Sequence, residues 1–115
     1  MTFKEELKKI SDIVTFELSI ANECAAIKDK MREAASIGIR SFQIDIRRAF
    51  PGYGYGKPTN MDNYYVINAK GDHCNDDYKK KVLEFLKQSG FHMNEVEIAN
   101  ITNNAGCHTS ITIRW

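Results

Sequence analysis

The chain has 115 residues, of which 43% are hydrophobic and 27% charged, a composition typical of one globular domain and unlike that of a disordered chain. Its 16 basic and 15 acidic residues leave a formal net charge of +1, which excludes the strong overall positive charge of many nucleic-acid-binding domains. Apolar runs are far shorter than the roughly 20 residues that cross a bilayer, and the first ten residues lack the apolar core of a signal peptide, so we expect a cytoplasmic protein without a membrane partner.

The first predicted element is a long helix. Thr2 and Glu5 form a T-x-x-E capping box, which predicts that the helix begins at residue 3. Residues 16–20 also alternate as in a strand, but no helix-breaking residue interrupts the stretch before Gly38, whose position is typical of a helix C-cap. We therefore predict one helix, or two nearly collinear ones. Its apolar residues recur at helical spacing in two overlapping registers: Phe3, Leu7, Ile10 and Val14, then Ile13, Phe16, Ile20, Cys24, Ile27, Met31 and Ala34.

The remaining chain carries strand patterns on either side of a second helix. Because the strands occur as two sequential pairs, we expect each pair to be antiparallel. The predicted fold class is α+β: a long N-terminal helix (or helix pair) followed by ββαββ, with a four-stranded antiparallel sheet and the helices on one face. We expect a single domain over 1–115, with 1–37 as the helical packing and oligomerisation segment and 40–115 as the ββαββ unit. The predicted elements of that unit are residues 40–46, 63–68, 75–89, 93–101 and 109–115.

The length of the first helix predicts self-association. Roughly 35 helical residues at 1.5 Å each extend well beyond strands of five to seven residues. The surplus apolar surface should meet another copy of the chain, so we expect a homo-oligomer through the N-terminal helix. The alternative is a helical hairpin bent near residue 15.

A glycine-rich stretch at residues 50–60, F-P-G-Y-G-Y-G-K-P-T-N, is the main candidate for ligand binding. It matches neither the G-x-x-x-x-G-K-[ST] phosphate loop nor the G-x-G-x-x-G dinucleotide motif. Tyr53 and Tyr55 have aromatic faces on which a base can stack, and Lys57 can neutralise phosphate. Two arginines, Arg47 and Arg48, lie just upstream. The alternative is a plain connection whose tyrosines cover a hydrophobic edge of the sheet.

The cysteines and histidines do not form a recognisable catalytic or metal-binding pattern. The odd number of cysteines (Cys24, Cys74 and Cys107) favours reduced thiols over a disulfide framework. The pairs His73-Cys74 and Cys107-His108 offer four zinc-type ligands, but neither pair has the usual ligand spacing, and adjacent residues do not form a catalytic dyad. We expect no catalytic residue, metal or cofactor.

The C-terminal strand, S-I-T-I-R-W, places Arg114 and two hydroxyl residues on one face. Such a face can bind an anion, and the alternative is a solvated outer surface. The hairpin before it, which contains Asn103 and Asn104, offers amide groups.

Three stretches, E-A-A-S-I-G-I-R-S-F-Q-I, V-L-E-F-L-K-Q-S-G-F and S-I-T-I-R-W, resemble a pattern found in small phage-encoded α+β proteins. The resemblance covers residues 31–115 and consists of helix ends and strand starts. In size, and in pairing an N-terminal helix with antiparallel strands, the chain is similar to the phage Thoeris anti-defence family, whose members are oligomeric sponges for cyclic ADP-ribose-type signals. No ligand-binding residue is carried over from that family.

The residues predict a non-enzymatic cytoplasmic protein that binds and sequesters an anionic nucleotide-like ligand as a homo-oligomer. The resemblance implies a phage or prophage origin, and hence the host cytoplasm, with inhibition of bacterial immune signalling as the expected role. The alternative is a protein–protein inhibitor or a nucleic-acid-binding accessory protein. The predicted ligand-binding residues are Arg47, Arg48, Phe50, Tyr53, Tyr55, Lys57, Asn103, Asn104, His108 and Arg114.

Overall fold

The computed structural model describes residues 2–49, 62–69, 74–103 and 106–115, and the side chains of residues 49, 102, 103 and 106 are left out of the description. A mixed four-stranded sheet, in the order β2-β1-β4-β3, is packed against two α-helices. The elements are α1 (Phe3–Ser36), β1 (Ser41–Ala49), β2 (Tyr64–Asn68), α2 (Asn75–Gln88), a short 3₁₀ helix (Met93–Glu95), β3 (Val96–Asn103) and β4 (Gly106–Arg114).

The long helix α1 is continuous over its 34 residues and has the ends that the sequence predicts. At its start, the Glu5 N–H donates to the Thr2 hydroxyl (3.2 Å) and the Glu5 carboxylate accepts from the Thr2 N–H (3.3 Å). At its end, Gly38 has φ +87° and lets the Ile39 N–H bond back to the Ala34 carbonyl at 3.0 Å. The helix prediction is confirmed, including residues 16–20, for which a strand was the competing interpretation.

The fully antiparallel sheet that the sequence predicts is wrong for one pair of strands. β1 pairs with β4, and β4 with β3, in antiparallel register, but β1 and β2 are parallel, with Gln43 opposite Tyr64 and Ile46 opposite Ile67. Sequential strands are usually antiparallel because a short turn joins them, whereas parallel neighbours need a connection of about a dozen residues or more. Residues 50–63 are long enough for such a connection.

The hydrophobic core lies between the helices and one face of the sheet. On β1, Phe42, Ile44 and Ile46 point to this inner face, where Ile111 and Ile113 of β4 join them. The outer face, on the side away from α1 and α2, carries the alternate residues, which are mostly polar. The helical part of the core contains Ile20, Cys24, Ile27 and Ala34 of α1 and Tyr78, Val82 and Leu86 of α2.

The two helices run in the same direction, and α1 extends past the start of α2. The ring of Phe16 meets that of Tyr78 edge-on with centroids 5.0 Å apart, and Glu17 lies 3.8 Å from Lys81. Because Tyr78 lies in the first turn of α2, the residues of α1 before Phe16 extend beyond it. All residues from 2 to 15 are exposed.

Neither α-helix combines the length and the apolar character of a membrane span, among the residues that the structure describes.

Candidate ligand-binding cleft

The start of α2 is fixed to the end of the sheet by the side chain of Asn75. Its Nδ2 donates to the backbone carbonyl oxygens of Ile46 (3.3 Å) and Cys107 (3.2 Å). Two carbonyl acceptors around one amide atom identify that atom as the nitrogen. The Asn75 Oδ1 is buried and makes no hydrogen bond within the part of the chain that the structure describes. This amide oxygen is therefore a buried acceptor at the corner between α2 and the sheet.

A cleft of about 360 Å³ opens beside Asn75, between the first turn of α2 and strands β3 and β4. Arg48 points to the inner face because it lies opposite Cys107 in the β1–β4 ladder, in the same alternation as Ile46. The Thr109 hydroxyl donates to the Asn100 Oδ1 at 2.9 Å and so fixes the amide of Asn100. The lining residues are Arg48, Cys74, Asn75, Asp76, Asn100, Ile101, Cys107, His108 and Thr109.

The cleft combines a cation with amide groups. Two acidic side chains in the first turn of α2 have partners there: Asp76 forms an ion pair with Lys79 (3.4 Å), and Asp77 accepts the Cys74 N–H (3.0 Å). The wall of the cleft thus contains a basic side chain, Arg48, an acidic one, Asp76, and the amide side chains of Asn75 and Asn100. Within the described ranges, no three His, Cys, Asp or Glu side chains gather closely enough to hold a metal ion.

Arg47, the neighbour of Arg48, lies on the outer face in a separate polar cluster. Its Nη2 is 3.3 Å from Asp45 Oδ2 and donates to the Tyr64 hydroxyl, over whose ring the guanidinium lies at 5.9 Å. The Tyr64 hydroxyl in turn donates to Asp45, and Gln43 Nε2 donates to Asp45 Oδ1 at 3.0 Å. Arg47 thus neutralises a carboxylate of its own chain.

Asp45 is only 2% exposed, although it lies on the outer face. Burial alone would raise the pKa of its carboxyl, but the hydrogen bonds from Tyr64, Gln43, Ser110 and Arg47 prevail and lower it. Burial, together with the bond to Asp45, raises the pKa of Tyr64 to about 12. Asp45 is therefore charged and Tyr64 neutral at pH 7.

The predicted binding residues whose side chains the structure describes lie in different places. Arg48 and His108 line the cleft, and His108 lies opposite Arg47 in the β1–β4 ladder. Arg114 lies at the other end of β4, opposite Ser41, and is paired with Glu97 at 3.1 Å.

Most of the ligand-binding residues predicted in the last hairpin and in the glycine-rich stretch lie outside the residues that the structure describes. Asn103 lies in β3 opposite Gly106, and its side chain is outside the description. The other predicted residues outside the described ranges are Phe50, Tyr53, Tyr55, Lys57 and Asn104.

Sequence reasoning missed Asn75 and Asn100 as members of the cleft. The sequence predicts Asn75 only as the first residue of a helix, and α2 does begin at Asn75. Its place in the cleft depends on tertiary packing, because the first turn of α2 meets the end of β1 and the start of β4.

The chain matches no protein-family model, no curated protein and no solved structure. The resemblance to phage anti-defence proteins therefore stays a prediction.

Proposed function

We propose that the protein is a non-enzymatic binding protein that captures a small anionic, nucleotide-like ligand in the cleft beside α2. The observation that supports the proposal is a cleft of about 360 Å³ whose lining combines the basic side chain of Arg48 with the amide side chains of Asn75 and Asn100. A nucleotide offers both complementary groups, namely phosphate oxygens for a guanidinium and hydroxyl or base N–H donors for an amide oxygen.

The size of the cleft suits part of a nucleotide. Small-molecule sites usually measure about 300–1,000 Å³, and this cleft lies near the lower end of that range. Arg48 lies two residues before the 50–60 stretch, so Tyr53 and Tyr55 belong to the segment that leaves the sheet at the same end. In the proposal these tyrosines stack on the base while Arg48 binds the phosphate.

The resemblance to phage anti-defence proteins supplies the biological role that we propose. Sequestration without chemical change is how the anti-defence sponges that the sequence resembles act on signalling nucleotides. We therefore propose a phage or prophage protein that lowers the concentration of a nucleotide signal of bacterial immunity.

The test is binding of a nucleotide panel, including cyclic ADP-ribose-type compounds and ADP, by calorimetry. Arg48→Ala should weaken binding of the preferred nucleotide by about 10- to 100-fold, the usual effect of losing a charge-assisted hydrogen bond. Arg32→Ala is the matched control, because Arg32 is an exposed arginine of α1 paired with Asp29. The ligand should be recovered chemically unchanged. Equal affinity of the Arg48 and Arg32 variants would contradict the proposed site.

A protein–protein inhibitor is the second candidate, and the edge of the sheet favours it. In the described part of the chain, β3 pairs only with β4, and Ile98 and Ile101 are exposed on it. An open edge strand of this kind can accept a strand from another protein. Loss of partner binding on Ile98→Lys, with nucleotide affinity unchanged, would support this candidate, because Ile98 is exposed and does not line the cleft.

A further inference from the structure

The first half of α1 exposes a continuous apolar stripe. Its five members recur at spacings of four, three, four and four residues, which places them on one side of the helix. In a single copy of the chain, each is between 49% and 71% exposed. We name these residues the arm stripe: Phe3, Leu7, Ile10, Val14 and Leu18.

The arm stripe is separate from the side of α1 that packs on the domain. Ile20, Cys24 and Ile27, which are buried in the core, belong to the other apolar register of the helix. At 100° per residue, the centres of the two registers are about 120° apart around the helix. The domain body therefore leaves the arm stripe uncovered, and a rotation of α1 that buried the stripe would expose the core residues.

We propose that two copies of the chain associate through their arm stripes as an antiparallel helix pair. The spacing of Phe3, Leu7, Ile10 and Val14 is that of the core positions of a coiled coil. With a two-fold axis between residues 8 and 9, Phe3 packs on the partner's Val14 and Leu7 packs on the partner's Ile10. Each of these four residues then packs on an apolar side chain of the partner: the large Phe3 on the smaller Val14, and Leu7 on Ile10.

Charge favours this direction over a parallel pair. On either side of the antiparallel seam, Lys4 lies opposite the partner's Ser11 and Glu6 lies opposite the partner's Ile13. Like charges therefore do not meet across these flanking positions. In a parallel pair, the next core position after Val14 is Glu17, which would face the partner's Glu17.

The part of α1 that extends past α2, and the area of its apolar surface, also fit a second copy of the chain. Because the residues before Phe16 extend past α2, an antiparallel pair places the two domain bodies at opposite ends of the helices. Eight stripe side chains (Phe3, Leu7, Ile10 and Val14 of each copy), each about half exposed or more in a single copy, lie in this seam. Together with the flanking residues they would bury roughly 1,000 Å² in total, about the minimum for a specific interface. The proposal goes beyond ligand capture and does not depend on it.

The first test is the concentration dependence of mass for the full chain, measured by analytical ultracentrifugation between about 1 and 100 μM. The unmodified protein should form a dimer. Leu7→Glu should raise the dissociation constant about 100-fold or more, because each dimer would bury two carboxylates in apolar layers. Lys8→Glu is the matched control on another side of the same helix and should leave the constant within about threefold. Circular dichroism should be unchanged in both, because Leu7 is exposed in a single copy.

The second test reads the direction of the helices by disulfide cross-linking in a Cys74→Ser background. Leu7→Cys protein mixed with Ile10→Cys protein should form a cross-linked heterodimer. Phe3→Cys alone should not cross-link, because the antiparallel register separates the two copies of that position by roughly 16 Å along the axis, beyond the Cα separation of about 7 Å that a disulfide spans.

Three outcomes would overturn the proposal. One is a monomer at every concentration, another is a monomer that binds lipid vesicles through the same stripe, and the third is efficient cross-linking of Phe3→Cys.

Discussion

Replacement of Asp45 by asparagine removes the negative charge at the centre of the outer-face cluster while preserving the shape of the side chain. Asp45 is 2% exposed, and its carboxylate accepts hydrogen bonds from Gln43, Tyr64 and Arg47. An asparagine keeps one acceptor oxygen and turns the other acceptor into a donor. One of the present donors then meets an N–H group, and the charge of Arg47 loses its counter-ion.

The expected loss of stability follows from the burial of the pair. Removing one partner of a buried ion pair destabilises a protein by about 3–5 kcal/mol. We expect about 3 kcal/mol for Asp45→Asn, at the lower end of that range, because the side chain of Arg47 is 18% exposed and asparagine still accepts one hydrogen bond. Tyr64→Phe, which removes a single bond to the charged carboxylate, should lower the free energy of unfolding by about 1.5–3 kcal/mol.

The same cluster predicts a dependence of stability on pH. The pKa of Asp45 is lowered in the folded protein, whereas an aspartate in the unfolded chain has a pKa of about 3.9. The stabilising contribution is therefore fully present above about pH 4 and is lost as the pH falls through the folded pKa. The difference in stability between the unmodified protein and Asp45→Asn should be constant from pH 8 to 5 and should shrink below about pH 4.

The measurement is the free energy of unfolding from urea titrations at pH 7 and at pH 3, followed by circular dichroism. Asp29→Asn is the matched control, because Asp29 is an exposed aspartate of α1 paired with Arg32, and it should change stability by less than about 0.5 kcal/mol. If Asp45→Asn were as stable as the unmodified protein at pH 7, the structural argument for a charged, fully hydrogen-bonded Asp45 would fail.

Two further predictions concern the end of α1 and its buried thiol. Gly38→Ala should lower the free energy of unfolding by about 1 kcal/mol because its φ of +87° is unfavourable for a residue with a Cβ, although that Cβ would meet no atom within 4 Å; an unchanged urea midpoint would contradict the C-cap geometry. Burial, with a smaller effect of the Glu23 charge, raises the pKa of Cys24 to about 11, so iodoacetamide at pH 8 should modify the exposed Cys74 long before Cys24. Site-resolved mass spectrometry that found equal rates would refute the burial of Cys24.

The helices could be predicted well from the sequence, because the residues that begin and end a helix lie within a few positions of one another. The capping box of Thr2 and Glu5 and the glycine at position 38 fix the ends of α1 through short-range hydrogen bonds. The strand predicted at residues 93–101 begins three residues late, since Met93–Glu95 form a 3₁₀ helix in which the Glu95 N–H donates to the His92 carbonyl at 3.0 Å.

The pairing of β1 with β2 could not be predicted from adjacency. The strand patterns of residues 40–46 and 63–68 are the same for a parallel and an antiparallel pair, because side-chain alternation does not depend on strand direction. The length of the connection from Ala49 to Tyr64 was the one available signal, and it favours a parallel pair.

Of the cleft residues, the sequence predicted Arg48 and His108 but not Asn75 or Asn100. Strand alternation explains why Arg48 and its neighbour Arg47 have different surroundings. Arg47 and Arg48 are neighbours, so they lie on opposite faces of β1, and only Arg48 reaches the cleft. Asp45, the ion partner of Arg47, lies two residues away on the same face of β1, whereas Tyr64 reaches Arg47 through the register between β1 and β2, which the sequence did not reveal. Asn75 reaches the cleft through the packing of α2 on the sheet end, which also requires tertiary information.

Native mass spectrometry of the protein purified from cells that produce nucleotide immune signals tests ligand capture most directly. The account predicts that the unmodified protein retains a nucleotide-sized mass and that Arg48→Ala, purified in parallel, does not. If the unmodified protein carried no bound ligand mass, or if both proteins carried the same adduct, capture in the cleft beside α2 would be contradicted.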